Sequence, residues 1–74
     1  MYFKNYEYFL AIVQEGGVSK AAKKLFLSQP SLSKYIKRLE TNLGVELFDH
    51  SSYPLKLTYT GEMYYKYLMQ YIKI

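Results

Sequence analysis

Between Ser19 and Gly44 the chain reads SKAAKKLFLSQPSLSKYIKRLETNLG. Within it, Ser28-Gln29-Pro30-Ser31-Leu32-Ser33 places a capping hydroxyl two positions ahead of a proline. A serine at a helix N-cap accepts a backbone N–H of the first turn, and proline is tolerated there because its missing N–H would be unpaired anyway. A helix is therefore predicted to begin at this point. Leu32, Ile36, Leu39 and Leu43 recur at i, i+4, i+7 and i+11, one buried stripe that Gly44 terminates. Pro30, Ser33, Lys34, Lys37 and Thr41 form the opposing stripe, a face of hydroxyls and cations.

Upstream, Ser19 is expected to cap a short helix running through about Leu25, whose Ala21 and Ala22 let another helix approach closely. Phe26-Leu27 is too brief to separate two distant elements, so residues 18–37 or so read as a helix-turn-helix. Before it, Tyr6, Phe9, Leu10 and Val13 mark one face of a first helix, ended by Gly16-Gly17. Downstream, Val45-Glu46-Leu47-Phe48 and Leu55-Lys56-Leu57-Thr58 alternate apolar with polar around the turn-like Ser51-Ser52-Tyr53-Pro54, predicting a small hairpin. Thr60 is expected to cap a last helix over residues 63–74. Lys66, Gln70 and Lys73 form a single narrow polar stripe on it, leaving most of its circumference apolar or aromatic. No residue that ends a helix follows, so this helix is expected to continue in a longer protein. The fold expected from these patterns is mainly α: three helices that include the helix-turn-helix, a small hairpin and a last helix.

Seventy-four residues with 50% hydrophobic and 22% charged side chains fit one small folded domain. Such a chain has little core, and the absence of cysteine removes disulfides, thiolate zinc sites and thiol nucleophiles together. Association with another chain is the stabilising device left. The longest uninterrupted apolar run is Tyr8 to Val13, too short for a signal sequence or a membrane span, and the expected location is the cytoplasm. The net charge is +4, unevenly spread. Lys20, Lys23, Lys24, Lys34, Lys37 and Arg38 fall in a stretch without any acid, while acids outnumber bases elsewhere. A polyanion should meet that stretch.

A helix fits the major groove of B-DNA, with its N-terminal residues reaching base edges. Gln29 is placed to pair with an adenine edge, Pro30 to touch a thymine methyl, and Ser31, Ser33 and Lys34 to read or line the bases. Lys20, Lys34, Lys37, Arg38 and Lys56 are expected to neutralise phosphates, which adds affinity without sequence information. Ser19 and Ser28, at the two helix starts, are the further expected phosphate contacts.

The order of residues resembles the LysR-type transcriptional regulators. Phe9, Gly16-Gly17, Ala21-Ala22, Leu25, Ser28 to Ser33, Ile36, Leu39-Glu40, Leu43-Gly44, Leu47-Phe48, Leu57-Thr58 and Gly61 stand in that family's order and spacing. The resemblance covers residues 1 to about 62 and implies a winged helix-turn-helix: residues 1–58 as the DNA-binding domain, with a three-helix core and a hairpin wing, and residues 59–74 as the start of a C-terminal linker helix. It implies sequence-specific binding of double-stranded DNA to regulate transcription, a recognition helix starting at Gln29 and a wing between Phe48 and Thr58. It also implies a linker helix that pairs two chains, with a small-molecule effector bound by a further C-terminal domain. Tyr64, Tyr67, Leu68, Tyr71 and Ile72 are the expected pairing residues. Two departures stand out: His50 occupies a position usually arginine, and Ser51, Ser52, Tyr53 and Pro54 replace a basic wing tip, so Lys56 is the wing's sole cation. Binding should lean on the recognition helix.

Ten tyrosines suggest base stacking on single strands, but eight of them lie away from the basic stretch: Tyr2, Tyr6 and Tyr8 around the first helix, and Tyr59, Tyr64, Tyr65, Tyr67 and Tyr71 in the last. They read better as packing or interface groups. The last helix lacks the sharply divided polar face of a membrane-surface helix. His50, the one histidine, is expected to face solvent, and Glu15, Glu40, Glu46, Asp49 and Glu62 to serve as surface charges and caps. No set of base, nucleophile and orienting group is visible, nor a metal-ligand cluster, so no enzyme, metal or cofactor is expected. The competing reading is a protein-interaction module working through the tyrosine-rich helix.

Overall fold

A computed structural model describes residues 5–72. Helices α1 (Asn5–Glu15), α2 (Val18–Leu25) and α3 (Gln29–Leu43) are followed by strands β1 (Phe48–Asp49) and β2 (Lys56–Leu57) and by α4 (Tyr59–Ile72). The expected Tyr2 and Lys73 positions and the Ile72 side chain lie outside the described residues.

Helix α1 is buried on more of its circumference than a single face provides. Phe9, Leu10, Ala11 and Ile12 are all buried, with Tyr6 and Val13 only partly so. The reason is that α1 is covered from several sides. Tyr8 meets Tyr35 of α3 edge-on at 5.0 Å, while the Phe9 ring lies 5.3 Å from Phe48 and 4.8 Å from Tyr64 of α4. Burial, reinforced by Tyr64 and Tyr8, pushes the Tyr35 phenol up to about 12 and keeps it neutral.

Gly16, with φ of 77°, closes α1, and its N–H donates to the Ile12 carbonyl. The next helix begins two residues earlier than the serine cap implied. Gly17 is the N-cap of α2 and no side chain caps it, so Ser19 sits inside the first turn. At its other end α2 is closed by Phe26 in the left-handed conformation, φ 60°, with Leu27 N–H donating to the Ala22 carbonyl. The Phe26 side chain is exposed.

Helix α3 starts as expected. Ser28 is the N-cap: its Oγ accepts from Ser31 N–H at 3.2 Å, with Pro30 in the first turn and Gly44 closing the far end at φ 75°. Ser28→Ala is expected to cost about 1 kcal/mol and to lower the melting temperature by several degrees in thermal denaturation; an unchanged melt would show that the cap contributes nothing. Leu32 and Ile36 are buried and Leu39 partly so, but Leu43 is 46% exposed. Fifteen residues make a helix of about 22 Å, and its last turn projects past the core.

Glu40 takes the place at the core edge that the apolar stripe had assigned to leucine. Far from being a surface charge, it is 9% exposed, and its Oε2 accepts from Leu47 N–H at 2.8 Å and Phe48 N–H at 3.1 Å. This explains why the hairpin is shorter than the alternating pattern predicts. The amides of Leu47 and Phe48 turn toward Glu40, so pairing is confined to Phe48 with Leu57 and Asp49 with Lys56. Val45 and Glu46 stay outside the strand, and Val45 is exposed.

Helix α4 begins at Tyr59, and its cap is Thr58 rather than Thr60. Thr58 Oγ1 accepts from Gly61 N–H at 3.0 Å, while the Thr60 hydroxyl donates back to the Glu46 carbonyl at 2.7 Å. Gly61 lies against the Leu47 carbonyl so closely that a Cβ would overlap it; that approach seats α4 on the hairpin. Leu68 is buried and Tyr64, Tyr65 and Met69 pack on the core, leaving Tyr59, Met63, Tyr67 and Tyr71 exposed at four-residue spacing.

Candidate nucleic-acid interface

The outer face of α3 is open to solvent. Gln29, Pro30, Ser31, Ser33, Lys34, Lys37 and Arg38 are all exposed, and no acid occupies the first turn. Ser19, Lys20 and Ser28 are exposed beside it, as is Lys56 on β2. Among the described residues Lys20, Lys34, Lys37 and Arg38 form no ion pair, whereas Lys24 is held by Glu15 at 3.5 Å.

Two grooves show which of these residues the fold brings together. One, along α3, is lined by Val18, Ser33, Lys34, Ile36, Lys37 and His50. The other runs between the start of α2 and the wing turn, and joins Ser19, Lys20 and Gln29 to His50 and Tyr53. Of the positions predicted on α2 and α3, Ser19, Lys20, Gln29, Ser33, Lys34 and Lys37 thus line two grooves that meet at His50. Ser28, Pro30, Ser31, Arg38 and Lys56 line neither groove.

His50 is the residue that the sequence reading missed. It was expected to be an ordinary solvent-facing ring; instead its side chain is half-exposed and its Nε2 lies 3.1 Å from Oε1 and 3.3 Å from Oε2 of Glu40. Ten residues separate the two, so no local pattern connects them. Beside it, the Ser51 hydroxyl and amide both donate to Asp49 Oδ1 and hold that carboxyl below the usual carboxylate range. The wing turn is thereby ordered without basic residues, and Leu55 N–H donates to the Gly16 carbonyl at 3.0 Å, tying the wing to the α1–α2 turn.

The pairing residues expected on α4 divide. Leu68 is buried in the domain's own core and Tyr64 packs against it, partly buried, so neither is as available to a second chain as the outer residues. Tyr67 and Tyr71 are exposed, with ring centroids 4.7 Å apart. Among the described residues no helix is long and apolar enough to cross a membrane, and no group of three or more histidines and carboxylates could hold a metal ion.

Residues 3–62 match the family described as bacterial regulatory helix-turn-helix protein, lysR family. The chain belongs to the LysR family. It is 40% identical over 70 residues to the HTH-type transcriptional regulator BenM of Acinetobacter baylyi, covering 95% of this chain and 23% of that protein. It is 43% identical over 67 residues to the HTH-type transcriptional regulator BsdA of Bacillus subtilis, covering 89% of this chain and 23% of that protein. The chain therefore spans about a quarter of these LysR-type relatives' length. Among solved structures, the BenM DNA-binding domain in complex with benA site 1 DNA superposes with a TM-score of 0.90 at 38% identity, over 99% of this chain and 82% of that one. The complex of the CbnR DNA-binding domain with DNA gives 0.85 at 32% identity, over 99% and 84%. The fold is the winged helix-turn-helix of LysR DNA-binding domains.

Proposed function

We propose that this chain binds double-stranded DNA sequence-specifically and regulates transcription, as the DNA-binding part of a LysR-type regulator. The observation that carries the reading is the exposed outer face of α3: Gln29, Ser33, Lys34 and Lys37 stand together with Ser19 and Lys20, and among the described residues none of these lysines forms an ion pair. The solved complexes of similar domains with DNA support it. In this reading Gln29, Pro30, Ser31, Ser33 and Lys34 read or line bases, and Ser19, Lys20, Ser28, Lys37, Arg38 and Lys56 meet phosphates. It is a binding function with no catalytic step, exercised in the cytoplasm.

The exposed ridge of Tyr59, Met63, Tyr67 and Tyr71 supports a second element of the proposal, pairing of two chains through α4 as a linker helix. The outer residues, not Tyr64 and Leu68, would make that contact. A two-fold pair binds a two-fold-related site. A small-molecule effector would act through a domain beyond the linker.

Titration of labelled duplexes selected from a random pool tests the reading. Gln29→Ala is expected to relax base preference, and Lys37→Ala to weaken every sequence alike while reducing the salt slope by about one. Equal losses on selected and random DNA for both variants would refute this division. Binding indifferent to ionic strength would favour the interaction-module reading, in which the tyrosine ridge is the working surface.

A further inference from the structure

We propose that His50 is a phosphate contact that Glu40 orients, and that it makes DNA binding draw a proton from solution; the inference rests on the DNA-binding reading above. The Glu40 carboxylate accepts at both oxygens. Oε2 takes the amides of Leu47 and Phe48, and Oε1 faces His50 Nε2 at 3.1 Å. A carboxylate has no hydrogen to give, so Nε2–H donates to it. That bond fixes which nitrogen of the neutral ring carries hydrogen: Nδ1 is left as a bare acceptor, with no hydrogen bond among the described residues. A phosphate oxygen is also an acceptor. The neutral ring held this way repels it, and only the doubly protonated ring offers it an N–H.

Position supplies the second half of the argument. His50 lines the groove along α3 with Ser33, Lys34 and Lys37, and the groove toward α2 with Lys20 and Gln29. It thus stands between the two sets of expected DNA contacts. The charged groups around it are Lys34, Lys37 and Glu40 from α3, Glu15 at the end of α1, Lys20 from α2, Glu46 ahead of the hairpin, Asp49 beside it in β1, and Lys56 opposite Asp49 in β2. Of these only Glu40 makes a hydrogen bond to the ring. A phosphate contact here therefore needs a second proton on the ring, and it is gained as the solution is acidified. The wing lacks a permanent cation at this position, and the imidazole takes that part conditionally.

The test uses the 74-residue chain and fluorescein-labelled random-sequence duplex DNA at constant ionic strength. Proton uptake of up to one per site tightens binding by up to about tenfold per pH unit. Between about pH 8 and pH 6 the native chain is expected to gain roughly tenfold more affinity than His50→Gln, which keeps a donor for Glu40 but cannot take up a proton. His50→Arg, charged throughout, should bind with a flat pH profile. Thermal melting of each variant separates lost binding from lost folding. Because His50 is the sole histidine, its ring nitrogens can be read directly by NMR, and Nδ1 should become protonated when DNA is added near neutral pH. If native chain and His50→Gln both bind DNA with the same pH slope, or Nδ1 stays bare in the complex, the role of His50 is overturned. If neither binds duplex DNA even at low salt and low pH, the failure is that of the DNA-binding reading itself.

Discussion

Phe9→Ala is expected to remove most of the domain's stability. The Phe9 ring is fully buried and holds Phe48 at 5.3 Å and Tyr64 at 4.8 Å, so it joins α1 to the hairpin and to α4 at once. Truncating a buried phenylalanine costs about 3–5 kcal/mol. A chain of this size has roughly 4–11 kcal/mol in all, from about 0.05–0.15 kcal/mol per residue. Urea denaturation should show the midpoint falling by half or more, with much of the far-ultraviolet helix signal lost on mild warming. A midpoint close to that of the native chain would mean that the aromatic cluster is not the centre of the core.

Glu40→Ala should be nearly as damaging, by a different route. Its loss leaves the amides of Leu47 and Phe48 without an acceptor where those residues are almost fully buried. Unsatisfied buried donors cost about 1–3 kcal/mol each, so a total near 3 kcal/mol is expected once some water enters. Glu40→Gln separates the hydrogen bonds from the charge: the amide oxygen can still accept from both N–H groups, and the loss should be about 1 kcal/mol. Hydrogen exchange at Leu47 and Phe48 gives the local readout. Both amides should exchange much faster in the alanine variant, and unchanged protection would show that Glu40 does not hold the hairpin.

The elements that were legible in the sequence are those whose signals are local. The Ser28 cap, the Pro30 first turn, the Gly16 and Gly44 closures and the Leu32–Ile36 stripe are each set by a few neighbouring residues, and the structure has them where the spacing puts them. The exposed cationic face of α3 follows from the same periodicity. What was not legible depends on partners distant along the chain. A glutamate inside a helix pattern looks like a surface charge until the amides of Leu47 and Phe48 arrive beside it. His50 looks like a loop residue until Glu40 does. The same holds for Tyr64 and Leu68. On an isolated helix they belong to an aromatic belt that could serve a second chain, but the approach of Gly61 to the Leu47 carbonyl seats α4 so that they turn into the core. The cap at Thr58 was missed because two threonines compete there: both hydroxyls donate to the Glu46 carbonyl, and Thr58 is the one whose oxygen also accepts from Gly61 N–H.

The bonds from Glu40 to Leu47 and Phe48 join the end of α3 to the start of the hairpin. In the proposed DNA-binding reading, α3 and the wing would be the two jaws of a calliper whose opening those bonds set before any DNA arrives. A duplex seated on both would have to supply the adjustment itself, by narrowing a groove or bending, and stiff sequences resist this more than pliable ones. Part of the domain's choice of site would then be exercised at base pairs that no side chain touches.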